Sequence, residues 1–221
     1  MKLHERKGQL MENRGYEITS SAGVSIRVTQ GHFSTNHSHI NYYVDTTTLK
    51  ASHSESMAAA KQLAAKYAYN TLVDTIVCIE GTEIIGAYLA EELTKQGIRS
   101  MNTNRAIYIV PPEYNSSNQL IFRDNIRPMI TGKNVILLLA DVTTGRTSAK
   151  CVEGVEYYGG KVQGVCALFS AVNDVAGYPV TAVFTTKDIP DYQAYKSLDC
   201  PFCKADVKLD ALVNSFGYSK L

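Results

Sequence analysis

The chain has no tryptophan, six prolines and five cysteines in 221 residues. An odd cysteine count spread over this length does not make the disulfide framework of a small secreted domain, so reduced thiols and cytoplasmic residence are expected. No run approaches the roughly 18 apolar residues of a spanning helix. The longest aliphatic stretch, residues 135–140, suits a buried strand. The opening MKLHERKGQLMENRGYE carries charge but lacks the apolar core of a secretory signal. Net charge is scarce as well: 22 Lys and Arg against 21 Asp and Glu leave +1, which gives no general grip on a nucleic-acid polymer or an anionic membrane. No Ser-His-Asp order, nucleophile elbow, Walker lysine or dinucleotide glycine pattern is present, and hydrolase, NTPase and dehydrogenase readings fall away.

What is present is an ordinary globular composition, 45% apolar and 19% charged, sufficient for one sizeable core. Residues 1–31 are polar, with one alternating piece (Val24, Ile26, Val28) that suits an edge strand or a hairpin arm, and residues 1–53 are expected to form a small N-terminal hood. Residues 54–190 read as an α/β core. SESMAAAKQLAAKYAY (54–69) is rich in helix formers. TIVCI is a short apolar strand leading through EGTE into a helix that should close at Gly97. RAIYIV, NVILLLAD, KVQGVCALFS and PVTAVFTT are further strands, and a polar loop occupies 113–132. Continuous apolar strands alternating with helices predict a Rossmann-like, mostly parallel sheet covered on both faces, with its ligand beyond the carboxyl ends of the strands. Residues 191–221 are expected as an extended C-terminal tail carrying the CPFC motif.

The most informative block is 135–148, a buried strand that ends in Asp141 and opens through TTGRTS into a helix. Backbone N–H groups, hydroxyls and the positive end of a helix dipole converge there, which suits a phosphate. The other reading is a strand-to-helix turn whose Thr and Ser only cap the helix. Asp141 can accept hydrogen bonds from sugar hydroxyls or help hold a hydrated Mg²⁺. Glu80 and Glu83 have a similar double reading, as part of a ligand loop or as acids favoured at a helix start.

In this block the sequence resembles the type I phosphoribosyltransferases, most closely the orotate phosphoribosyltransferases. Their fingerprint of four apolar residues, two acids, an aliphatic pair and a Thr/Gly loop stands here as ILLLADVTTGRTS. NYYVD (41–45) is similar to their early Tyr-Asp segment, DTIVCIEGTEIIGAYLAEEL to their strand, pyrophosphate loop and helix, and DCPFCKADVKL to the C-terminal end of some orotate-type members. The resemblance implies a homodimeric, Mg²⁺-dependent enzyme that transfers ribose 5-phosphate from phosphoribosyl pyrophosphate to a nucleobase. It implies Asp141 on the ribose hydroxyls and, indirectly, on Mg²⁺. Thr143, Thr144, Gly145, Arg146, Thr147 and Ser148 would hold the 5-phosphate, and Glu80, Gly81 and Thr82 the pyrophosphate, with His39 and Arg123 as further substrate contacts. Two departures fall where the chemistry would be. Ala140 replaces the first acid of the pair, and Pro111, Pro112 and Glu113 stand where the family carries cations. These point to the alternative, a protein of this fold that binds a nucleotide or phosphosugar without catalysis.

Three histidines (His32, His37, His39) lie close in sequence, and Cys200 and Cys203 form a two-ligand half site of the kind zinc uses. A structural Zn²⁺ needs four ligands, so the partners would come from Cys151, Cys166, a histidine or a second subunit. The competing reading is a reduced pair packing the tail. Of fourteen tyrosines, the adjacent pairs Tyr42-Tyr43 and Tyr157-Tyr158 should each send one ring inward and one outward. An aromatic shelf for a base is the minority use, beside core or dimer contact.

Overall fold

The structure, a computed structural model, describes residues 15–95, 101–117 and 119–221. Two sheets divide the chain. The core sheet has six strands in the order β10-β11-β9-β8-β4-β5, built from β4 (Thr75–Cys78), β5 (Tyr108–Val110), β8 (Asn134–Val142), β9 (Lys161–Ser170), β10 (Asp174–Val175) and β11 (Tyr178–Thr185). All its pairings are parallel except that of β10 with β11.

The alternation of β8 explains the layering. Ile136 and Leu138 point into one apolar cluster with Leu63, Ile85 and Leu89 from α2 (His53–Ala64) and α3 (Glu83–Thr94). Val135, Leu137 and Leu139 point into the other, with Cys151, Val152 and Val155 of α4 (Arg146–Tyr157). A strand buried on both faces needs apolar residues at every position, which is why this stretch is the most hydrophobic in the chain. On the first face α3 approaches very closely: a Cβ placed at Gly86 would lie 2.4 Å from Cys78 Sγ.

The expected core strands and helices are all present, with shorter ends. Helix α2 stops at Ala64 and β5 begins at Tyr108; the proposed stop at Gly97 lies outside the described residues. The 113–132 loop contains a small hairpin, β6 (Glu113–Tyr114) with β7 (Leu120–Ile121), and a short 3₁₀ turn at 127–129.

The second sheet, also six-stranded, is the hood, and segments from both halves of the chain build it. Its order is β12-β3-β2-β13-β14, with β1 (Gly15–Thr19) also paired to β2 (Ser25–Ser34). Of the two readings of the piece carrying Val24, Ile26 and Val28, the hairpin arm holds and the edge strand does not: β2 pairs antiparallel with β1 and lies between β3 (His39–Asp45) and β13 (Ala211–Asn214). The tail is not extended. It supplies β12 (Ala194–Tyr195), β13 and β14 (Gly217–Lys220). The sequence signal is weak because these strands are two to four residues long and take their stability from pairing, β12 with β3, β13 with β2 and β14 with β13, not from their own pattern. Helix α1 (Thr47–Ala51) joins hood to core.

Candidate functional site

A cleft of ≈ 350 Å³ lies between the hood and the carboxyl ends of the parallel strands. Asp141 stands on its floor because β8 ends there. The backbone then turns through Thr143, Thr144 and Gly145 into α4, and Thr143, Thr144, Gly145, Arg146, Thr147 and Ser148 all line the cleft. Gly145 has φ +73° at the start of the helix, a left-handed conformation that a side chain disfavours. No side chain caps this helix. The first N–H groups of α4 have no partner within the helix, so the hydroxyl-cap reading loses its main support and the anion-site reading keeps its donors.

The second loop runs over the end of β4. Glu80 lines the cleft and holds φ +66°, followed by Gly81 at φ +81°. A non-glycine residue in the left-handed region is uncommon and costs on the order of 1 kcal/mol. Its Oε2 is buried and has no hydrogen-bond partner. Burial first, and then the neighbouring Asp141, push its carboxyl up to about 7; a hydrogen bond from Ser215, the Lys50 charge and the Ala140 backbone act the other way. Desolvation likewise raises Asp141, opposed by Lys50 and by a hydrogen bond from Thr143.

Lys50, on α1, is the cation placed against these acids, and no sequence motif marked it. Its ammonium donates to the carbonyls of Glu80 (3.2 Å) and Ser215 and lies 5.5 Å from the Phe216 ring centroid. It thereby ties the Glu80 loop to the β13–β14 turn. Burial lowers its pKa despite the acids around it. Aromatic rings complete the walls: Tyr43, Phe169, Tyr192 and Phe216 all line the cleft. Phe169 and Tyr192 pack at 5.0 Å between centroids, whereas Phe216 is 72% exposed at the mouth. Tyr42 and Tyr43 are both buried, against the expected split, because both rings lie in the apolar cluster that hood and core share. Tyr157 and Tyr158 do split, Tyr157 being 84% exposed while Tyr158 packs edge-on against Phe122.

Four expected substrate contacts are placed elsewhere. The His39 ring is not part of the cleft wall and faces His32 and Cys203. Thr82 is fully buried, its hydroxyl turned to the carbonyls of Ile79 and Leu138, where it fastens the loop to β8. Gly81 is not in the cleft wall, although the Phe216 ring lies near it. Arg123 is exposed and paired with Glu113 through contacts of 2.6–3.1 Å across the hairpin. Arg127, a second cation of that loop, pairs with Asp124 and sits over Tyr158. The Thr82 hydroxyl and the Arg123 and Arg127 guanidinium groups are each held by a local partner.

The two acids on the floor fit a hydrated divalent cation. An unpartnered buried carboxylate oxygen beside a second carboxylate is a donor set that Mg²⁺, a hard ion preferring oxygen, accepts.

No protein-family model matches the sequence. In three dimensions the chain is similar to UMP synthase of Leishmania donovani, at 16% identity and a TM-score of 0.51, covering 81% of this chain and 36% of that one. It is also similar to adenine phosphoribosyl transferase of Trypanosoma brucei (12% identity, TM-score 0.49, 88% of this chain and 83% of that one). A third match is phosphoribosyltransferase of Corynebacterium diphtheriae (15%, 0.48, 86% and 99%). A Rossmann-like parallel sheet with a hood over the ends of its strands is thus the fold this chain shares with the type I phosphoribosyltransferases.

Proposed function

We propose that the chain is a phosphoribosyltransferase that moves ribose 5-phosphate from phosphoribosyl pyrophosphate to a nucleobase, orotate-like or other. The observation that supports this most is the convergence in one cleft of Asp141, the uncapped start of α4 and the hydroxyls of Thr143, Thr144, Thr147 and Ser148. The 5-phosphate takes the N–H groups and hydroxyls of that turn. Asp141 accepts from the ribose hydroxyls. Phe216 and the tyrosines of the hood flank the space left for a flat base.

Glu80 and Asp141, through water, are the residues that would hold Mg²⁺, which when bound neutralises phosphate charge next to these acids. With a cation there, the carboxylates ionise and orient donors; without one, they repel a polyanion. The protein's part is chiefly positioning and charge neutralisation.

A second reading, binding of a nucleotide or phosphosugar without transfer, has its own support. Ala140 is fully buried where the resembled enzymes carry an acid, and Arg123 and Arg127 are engaged outside the cleft. Electrostatic help to departing pyrophosphate then rests on Lys50, Arg146 and Mg²⁺. A homodimer, with exposed Tyr157 and Leu198 as candidate contacts, and cytoplasmic residence complete the proposal.

The test is incubation with phosphoribosyl pyrophosphate, Mg²⁺ and orotate, uracil, adenine, guanine, hypoxanthine or xanthine, followed for pyrophosphate. Base-dependent release supports the enzyme. Binding of phosphoribosyl pyrophosphate without release supports the second reading, and absence of both removes the two together.

A further inference from the structure

Away from the cleft, the fold brings two histidines of the hood and two cysteines of the tail to one point. His32 lies on β2 and His39 on β3. Ser34 is paired with His39, and His32 lies in the irregular stretch of β2 between Gln30 and Phe33, where its ring comes against that of His39. Cys200 immediately precedes, and Cys203 lies within, the single turn of α5 (Pro201–Lys204), and both thiols approach these rings. His32 Nε2 is 3.0 Å from His39 Nδ1, 3.4 Å from Cys200 Sγ and 3.6 Å from Cys203 Sγ, and His39 Nδ1 is 3.2 Å from Cys203 Sγ. All four atoms lie within 4.8 Å of one another. We propose that His32, His39, Cys200 and Cys203 form a tetrahedral Zn²⁺ site that clips the C-terminal tail to the hood.

Geometry and ligand chemistry agree. Zn–N near 2.0 Å and Zn–S near 2.3 Å at tetrahedral angles place the ligand atoms roughly 3.3–3.8 Å apart, and the distances above fall around that range. Two thiolates and two imidazoles are a soft set that favours Zn²⁺ over Mg²⁺ or Ca²⁺. His32 is also oriented as a ligand. Its Nδ1 lies 2.9 Å from the carbonyl of Val207, which can only accept, so Nδ1 carries the proton and the Nε2 lone pair faces the cluster. Phe202 stacks on the same ring at 5.2 Å. Without a cation, two imidazole nitrogens 3.0 Å apart rely on each other and on thiol S–H groups, which are weak donors.

The consequence reaches the cleft. The residues after α5 return to β2 through the Asp210 carboxylate, which accepts from the His32 N–H, and the Asp210 N–H, which donates to the His32 carbonyl. From there β13 pairs with β2, and the turn beyond it carries Ser215 and Phe216 to the cleft mouth. Anchoring Cys200 and Cys203 thus sets the start of the segment that ends at Phe216.

The test uses the full, untagged chain purified without chelator and under reducing conditions. Elemental analysis should find one zinc per chain. Replacement by Co²⁺ should give thiolate-to-metal charge-transfer bands with tetrahedral d–d absorption. Cys203→Ser should lose both, and Cys203→His, which restores a ligand atom, should recover zinc. Wild-type chain with neither zinc nor a cobalt–thiolate spectrum, zinc retained in full by Cys200→Ser and Cys203→Ser, or a Cys200–Cys203 disulfide in the reduced preparation would each overturn the site. The wild-type measurements decide the matter even if a variant fails to fold. They are independent of whether the cleft binds phosphoribosyl pyrophosphate.

Discussion

Replacing Glu80 by Gln probes the most unusual electrostatic feature of the cleft, two acids sharing a desolvated floor. The Glu80 carboxyl is pushed from 4.5 up to about 7, chiefly by burial and by Asp141. At 1.36 kcal/mol per pKa unit, ionising it in the folded chain costs roughly 3 kcal/mol more than in the unfolded chain. Between these two values the folded chain keeps a proton that the unfolded chain has lost. The stability this group contributes is therefore fully present below pH 4.5 and falls as the pH rises to about 7. Glutamine has the same length, stays neutral and meets the same backbone strain at φ +66°. Any cost of the amide itself is the same at both pH values, so the change in the difference between variant and wild type isolates ionisation. Urea unfolding at about pH 5 and about pH 8 should show Glu80→Gln gaining on the order of 2 kcal/mol relative to wild type at the higher pH. Millimolar Mg²⁺ should stabilise wild type at the higher pH and leave the variant largely unmoved. A stability difference that does not change with pH would refute the paired-acid account.

Other consequences are as direct. The double variant Thr144→Val, Thr147→Val keeps side-chain shape but removes two hydroxyls, and should weaken phosphate-ligand binding by roughly two orders of magnitude with an unchanged circular dichroism spectrum; unaltered calorimetric affinity would leave the loop as a simple turn. Phe216→Ala should change folding stability by no more than about 0.5 kcal/mol, since the ring is 72% exposed. The same change should cost roughly tenfold in nucleotide affinity through lost stacking, and equal affinity would remove the ring from the site. Gly86→Ala, ordinarily stabilising in a helix by up to about 1 kcal/mol, should instead destabilise by about 1–3 kcal/mol, because the new Cβ meets Cys78 Sγ at 2.4 Å. A raised melting temperature would show that α3 is free to shift.

The core was legible because its signals are local. Six consecutive apolar residues before Asp141 can only be a strand covered on both faces, and TTGRTS marked the turn that follows. The hood was harder to see. Its strands β12 to β14 have little pattern of their own and exist because β12 pairs with β3, β13 with β2 and β14 with β13. The cleft shows the same division. Asp141 and the α4 turn form a continuous stretch and were readable, whereas Lys50, Tyr192 and Phe216 arrive from distant segments with no motif around them. The resemblance implies His39 as a substrate contact, whereas in the fold its ring turns toward Cys203, 164 residues later in the chain. A half site of two cysteines is visible in sequence, but only folding reveals which histidines complete it.

Titration calorimetry of phosphoribosyl pyrophosphate into wild-type chain and Asp141→Asn, each with and without Mg²⁺, addresses the central claim most directly. Stoichiometric binding that strengthens with Mg²⁺ in wild type and falls by at least tenfold in Asp141→Asn, a loss of about 1.4 kcal/mol or more, is the predicted result. Absence of binding in wild type, or equal Mg²⁺-independent affinity in both proteins, would contradict the assignment of this cleft to a phosphoribosyl ligand.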